Sequence, residues 1–398
     1  MGRGDLDAFL ANKEVVCPVI CDVDDARLAE GIKLVEGRRN TTPDTEKDFR
    51  RVLDRDDLDA VIVGTPDHWH ALPTVMACQA GLDVYCEKPL AKSIAEGAAM
   101  REAVKRHKTV AQMGTQWRSG EHYREAVEFI QSGKLGKVRL VRAWAYLDWI
   151  GGIGNPPNGE PPAGVDYDLW LGPAEQRPFN PNRFHFNFRW FWDYAGGLMT
   201  DWGVHLLNIC LWAMGPEWPV SVTSSGGKHA LTDNTETPDT QIALYDFPSY
   251  TLIWEHAVKV NLGPNGRQHG MSFTGDNGTV LIDDEGWHLT PERKVDALKG
   301  GIEPKDGEEP VFTRPPVGGE RPAHVRNFLD CMASREQPVE HFDLAHHVSS
   351  VAHLGNIAFI TGDKIHWDAE KGEVKDNPAA NALVGCDYRD PWKLPYMG

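Results

Sequence analysis

The stretch Val15–Asp22, VVCPVICD, followed by Asp24–Gly37, DDARLAEGIKLVEG, decides the fold. A short β-rich run leads into a segment that opens on Asp and closes on Gly, the signals of a helix start and stop, so the pair reads as strand then helix. The alternation continues through DFRRVLDRDDLD (48–59), AVIVGTP (60–66), HALPTVMACQAG (70–81), LDVYCEKP (82–89), SIAEGAAMREAVKRHK (93–108) and TVAQMG (109–114). Short continuous apolar strands between helices of this length predict an α/β unit, a doubly wound parallel sheet covered on both faces.

After Gln116 the pattern changes. KVRLVRAWAYLDW (137–149), QIALYDFPSYTLIWEHAVKV (241–260) and GTVLIDD (278–284) alternate and read as antiparallel strands. Two domains are therefore expected, residues 1–118 and an α+β domain of residues 119–398 with a large, mostly antiparallel open sheet. Gly151 to Gly164 is rich in Pro, Gly and Asn and reads as a loop over a site. Lys299 to Pro322 reads as irregular. HVRNFLDCMASRE (324–336) and HFDLAHHVSSVAHLGNIAFITG (341–362) carry helical spacing and are expected to pack on the sheet.

Composition narrows the function classes. Lys plus Arg number 41 against 58 Asp plus Glu, a formal charge of −17 that repels nucleic acid and anionic lipid and suits a small neutral ligand. No apolar run reaches membrane-helix length, and the acidic Met1–Asn12 stretch is not a signal peptide. Seven scattered cysteines without a C-x-x-C pair suggest neither a disulfide framework nor zinc, and favour a reducing compartment. The tryptophans between Trp144 and Trp218 read either as a wall on which a sugar ring stacks or as core.

Several residues carry candidate chemistry. An acid closing the second strand of a doubly wound nucleotide-binding sheet bonds the adenosine ribose about 20 residues after the glycine loop, where Asp22 stands. Its neighbours Val23, Asp24 and Asp25 would repel a 2′-phosphate and favour NAD over NADP; alternatively Asp22 is a helix N-cap. Gly2 is read as the last glycine of the fingerprint, with the first strand and two earlier glycines expected to be missing before Met1. Thr65-Pro66-Asp67-His68-Trp69-His70 follows a strand at the carboxyl edge where such sheets bind ligands, a turn with cofactor contacts rather than a metal-binding H-x-H. The next strand ends in Glu87-Lys88-Pro89, which places the Lys88 ammonium at the same edge, as a catalytic group or as solvated surface. GGLMTDWGVHLLNICLWAMG (196–215) reads as one helix with Asp201 and His205 on one face, a carboxylate oriented beside a candidate base or else a packing pair.

Glu87–Pro89, Thr65–His70 and Asp201-x-x-x-His205, in this order, together resemble the glucose-fructose oxidoreductase / inositol dehydrogenase family, Gfo/Idh/MocA. GTQWRS (114–119) and WDAEKGEV (367–374), the latter like bacterial members, extend the likeness nearly end to end. The resemblance implies an NAD-binding Rossmann-type domain and hydride transfer at a secondary hydroxyl of a sugar or polyol. It assigns Lys88 to the reacting hydroxyl, His205 to its proton and Asp201 to orientation. Gly2, Asp22, Thr65, Pro66, His68, Glu87, Lys88 and Gln116 are implied on the cofactor, and Arg118 and Trp149 on the substrate beside Lys88, Asp201 and His205; no metal is called for. It further implies a homo-oligomer, dimer or tetramer, through the second-domain sheet, in the cytoplasm, or in the periplasm if an export signal precedes Met1. Two other readings stand beside it: a glycoside hydrolase that oxidises its sugar transiently on retained NAD, and a sugar-binding protein without cofactor.

Overall fold

The computed structural model describes residues 1–296, 301–304 and 312–397. Much of the Lys299–Pro322 stretch therefore lies outside the described residues. Its described part is not irregular throughout: Gly301–Pro304 and Phe312–Arg314 are strands and a helix begins at Glu320.

The first domain opens with α1 (Gly2–Leu10), then β1 (Val19–Cys21), α2 (Asp25–Arg39), β2 (Asp44–Glu46), α3 (Phe49–Leu53), β3 (Ala60–Val63), α4 (Ala71–Gln79), β4 (Asp83–Cys86), α5 (Ile94–His107) and β5 (Ala111–Met113). Strands and helices alternate as expected, and all pairings are parallel, but the strands form two sheets rather than one. β1 pairs with β2, and β3, β4 and β5 pair in that order. β1 and β3 are edge strands of the two sheets, and both line one cleft. Every residue of β4 is buried, as a continuous apolar strand inside a parallel layer requires. The stop expected at Gly37 is also displaced: α2 runs to Arg39 and ends on Asn40 in the left-handed region, φ 54°. Its N-cap is Asp24, whose side chain accepts from Ala26 N at 2.8 Å, so Asp22 is not the cap.

In the second domain come α6 (Glu121–Gln131), β6 (Leu140–Leu147), α7 (Tyr167–Leu171), α8 (Gly197–Asp201), α9 (Gly203–Met214), β7 (Ser221–Gly227), β8 (Thr240–Asp246), β9 (Thr251–Val258), β10 (His269–Gly275), β11 (Gly278–Asp283) and β12 (Gly286–Pro291). A hairpin of β13 (Arg293–Asp296) and β14 (Gly301–Pro304) is followed by β15 (Phe312–Arg314), α10 (Glu320–Ser334), α11 (Phe342–Thr361), β16 (Ile365–Asp368), β17 (Glu373–Lys375) and α12 (Pro378–Ala382). Among the described residues, ten strands make one open sheet in the order β15-β12-β11-β10-β6-β9-β8-β7-β16-β17. It is antiparallel throughout except that β6 and β9 run parallel, Val141 opposite Leu252.

One sheet face is covered by α6, α9 and α11, and the core there holds Val141, Trp254, Tyr245 and Phe273. The other face leaves Ile242 and Leu244 of β8 at 47% and 42% exposure. The late helices divide their work. α11 lies on β7 and β8 as expected and also packs on α5 and β5 of the first domain, while α10 returns to the first domain altogether, where Val325 and Phe328 join Phe9 and Tyr85 in a small separate core.

Candidate active site

A cleft of about 1690 Å³ runs along the edge strands β1 and β3 and out to the carboxyl ends of the first-domain strands. Gly2, Asp22, Thr65, Pro66, Glu87 and Lys88 line it from the first domain, and Phe184, His185, Phe186, Phe188 and Arg189 from the second. The N-terminus of α1 opens on it. There the chain comes so close to the end of β3 that a Cβ on Gly64 would lie 2.6 Å from Gly2 Cα, so Gly64 must be glycine, and a Cβ on Gly2 would press on Gly64 O at 3.2 Å. A helix start packed this tightly against a strand end, with an acid at the end of the neighbouring strand, is the cradle a dinucleotide takes. Asp22 supplies the acid. Burial raises it to about 6 despite the Asp24 backbone N–H it accepts at 3.0 Å. Arg27, one turn into α2, lines the cleft as well and is paired with Glu30 at 3.0 Å, a cation that the neighbours of Asp22 in sequence did not reveal.

Lys88, 8% exposed, meets the second domain directly. Its Nζ donates to the Asp201 backbone carbonyl at 3.0 Å and to Asp201 Oδ1. Arg189 Nε donates to that same Oδ1 at 3.1 Å. Burial alone would push the Asp201 carboxyl up. The Lys88 and Arg189 charges override it and hold the group well below the usual carboxylate range. Asp67, also buried, is lifted to about 7 by desolvation although the same two cations oppose the rise.

The single helix expected from Gly196 to Gly215 is two helices that join at Trp202, where His205 N bonds Trp202 O at 3.0 Å in a tightened turn. Asp201 consequently points to Lys88 and Arg189, and no hydrogen bond joins it to His205 among the described residues. The His205 imidazole lies against Trp117, ring centroids 5.2 Å apart, with Nδ1 buried and unpartnered. Burial first, and the nearby Lys88 charge second, lower it to about 3, so the ring is neutral at ordinary pH.

Other expected residues are placed elsewhere. His68 is buried, bonds the Trp170 carbonyl through Nε2 at 3.0 Å and is lowered to about 3 by burial; it ties the domains together outside the cleft lining. Gln116 begins the 3-10 turn Gln116–Ser119 and also lies outside that lining. Arg118 turns away to Glu340, at 3.3 Å, and to the face of Trp212. Trp149 is 49% exposed beside Phe186, whereas Trp144, Trp170 and Trp190 are core, so the tryptophan-rich region is mostly packing. Sequence reasoning missed Arg189 and Asp67. The signal for Arg189 was a lone cation in the aromatic run Phe184–Trp192.

Two family models match: "Oxidoreductase family, NAD-binding Rossmann fold" over residues 8–115 and "Oxidoreductase family, C-terminal alpha/beta domain" over residues 128–235, both of Gfo/Idh/MocA. Levoglucosan dehydrogenase of Pseudarthrobacter phenanthrenivorans is 31% identical over 119 residues, 30% of each chain. The NAD(+)-dependent scyllo-inositol 2-dehydrogenase of Bacillus subtilis is 26% identical over 188 residues, 47% of this chain and 43% of that one. The matched stretches thus span less than half of these curated relatives. Among solved structures, aldose-aldose oxidoreductase from Caulobacter crescentus superposes with a TM-score of 0.67 at 22% identity, covering 92% of this chain and 95% of the other, a likeness of fold.

Proposed function

The chain belongs to the Gfo/Idh/MocA oxidoreductase family, and from that premise we propose that it moves a hydride between NAD and a secondary hydroxyl of a sugar or polyol. The observation that carries this reading is the meeting of Lys88, which lines the cleft from the first domain, with Asp201 of the second, which like His205 lies just behind the lining. Gly2, Asp22, Thr65, Pro66 and Glu87 would hold the dinucleotide, which when bound supplies the hydride acceptor.

This chain's own groups do the rest. The Lys88 ammonium donates to the carbinol oxygen and stabilises the negative charge that grows there. The neutral His205 ring accepts the hydroxyl proton, and the ionised Asp201 holds Lys88 in place. Packing of Trp117 on His205 excludes water from that side. His68 and Arg118 serve the joint between the domains. We assign the protein to the cytoplasm, a reading supported by seven free cysteines; no described helix is long and apolar enough to cross a membrane. The apolar exposure of Ile242 and Leu244 supports self-association through the open sheet face.

Incubation with NAD and a panel of levoglucosan, scyllo-inositol and glucose, read by the absorbance of reduced nicotinamide, tests the reading. Reduction with at least one member is expected; none with any member overturns it.

A further inference from the structure

Arg189 stands in the 3-10 turn Asn187–Trp190, an irregular part of the second domain, where several contacts hold its side chain. Its guanidinium lies between two aromatic faces, 4.5 Å from the Phe186 ring centre and 4.7 Å from that of Phe188. Nη1 donates to the Phe186 carbonyl at 2.9 Å and Nε to Asp201 Oδ1 at 3.1 Å. Nη2 has no hydrogen-bond partner among the described residues, and the side chain lines the cleft. The side chains of Lys88, Asp201 and Arg189 are 6%, 11% and 12% exposed, so their charges act on one another with little screening by water.

We propose that Arg189 is a positioning residue for the reaction: by sharing Asp201 Oδ1 with Lys88 it leaves the three groups one positive charge in excess, which the oxygen of the reacting carbinol balances as it loses its proton. A Lys88–Asp201 pair alone would be neutral, and its carboxylate would hold the ammonium against donation to a substrate. With two cations on one oxygen, neither is fully compensated. The surplus is matched only where negative charge develops, which is how a preorganised site favours a transition state over its ground state. The other titratable groups facing Lys88 fit this balance. Asp67 is lifted towards neutrality by burial, Glu87 is pushed up by burial and sits with Asp5 rather than on Nζ, and His70 and His205 are both lowered by burial and stay neutral.

The inference rests on the role given to Lys88 above, but its test does not need turnover. Lysine side-chain NMR of the purified protein, with the Lys88 signal identified by its loss in Lys88→Arg, is followed against pH in wild type, Arg189→Met, Arg189→Gln and Arg189→Lys. Removal of a neighbouring cation favours the charged ammonium. The Lys88 signal should therefore titrate about one pH unit or more higher in Arg189→Met and Arg189→Gln, and return towards wild type in Arg189→Lys. Either neutral variant suffices if the other does not fold. An unchanged titration, or an equal shift in Arg189→Lys, overturns the proposal. Where the sugar panel gives turnover, the neutral variants should lose kcat with KM little changed, and a loss confined to KM would also overturn it. No turnover in wild type would sink the dehydrogenase reading while the titration still decides on Arg189.

Discussion

At Asp22, burial and ligand chemistry pull against each other. A carboxylate that accepts ribose hydroxyls must be ionised, yet burial lifts this one to about 6. Ionised above that pH and protonated below it, Asp22 should make NADH binding weaken as pH falls through about 6. Fluorescence titration of NADH between pH 5 and 8, the range in which such a group changes charge, checks this. Asp22→Asn should bind more weakly with no such slope, and a slope that survives the substitution would remove Asp22 from the site. Asp22 and Lys88 were legible in the sequence because a residue at the carboxyl end of a parallel strand is placed by the backbone pattern alone. Arg189 was not, because its position depends on an irregular turn folding back onto Asp201, and no periodicity encodes that.

Elements were read well where one period dominated. The alternating strand-helix order of the first domain and the fully buried β4 followed from short apolar runs, whereas β8 alternates buried and exposed residues although its sequence is apolar from Ile242 to Tyr245. The errors arose where pairing is decided at long range. β6 alternates like an antiparallel strand, yet its β9 neighbour runs parallel, and nothing local reports a partner more than a hundred residues away. The helix from Gly196 to Gly215 kept its periodic pattern through the turn at Trp202, so the sequence showed Asp201 and His205 near each other but not that Asp201 bonds Lys88 and Arg189 instead. The close approach of α1 to β3 makes a prediction at this scale. Gly64→Ala would place a methyl against backbone, which cannot rotate away, and should cost about 1–3 kcal/mol by overpacking while also weakening NADH binding. Urea unfolding with a parallel NADH titration measures both; unchanged stability and affinity would show that the contact is slack.

Across the whole molecule, one apolar core runs through both domains, with α11 packed on α5 and β5, and polar bonds join the two halves around the cleft. Beyond Lys88 and Asp201, the end of β1 bonds the loop before α7, Asp166 N to Val23 O at 2.9 Å, and His185 reaches Asp24 at 2.8 Å. These bonds and the shared core fix how the two halves face each other, so the site is a property of their assembly. The direct test is transfer of label from a polyol deuterated at its carbinol carbon, drawn from whichever panel member is oxidised, to the nicotinamide ring by mass spectrometry, in wild type, Lys88→Ala and His205→Ala, with thermal midpoints recorded alongside. The account predicts labelled cofactor from wild type and a loss of roughly a hundred- to ten-thousandfold in initial rate for each folded variant. Unlabelled reduced cofactor from wild type, or a near wild-type rate in either variant, would contradict it.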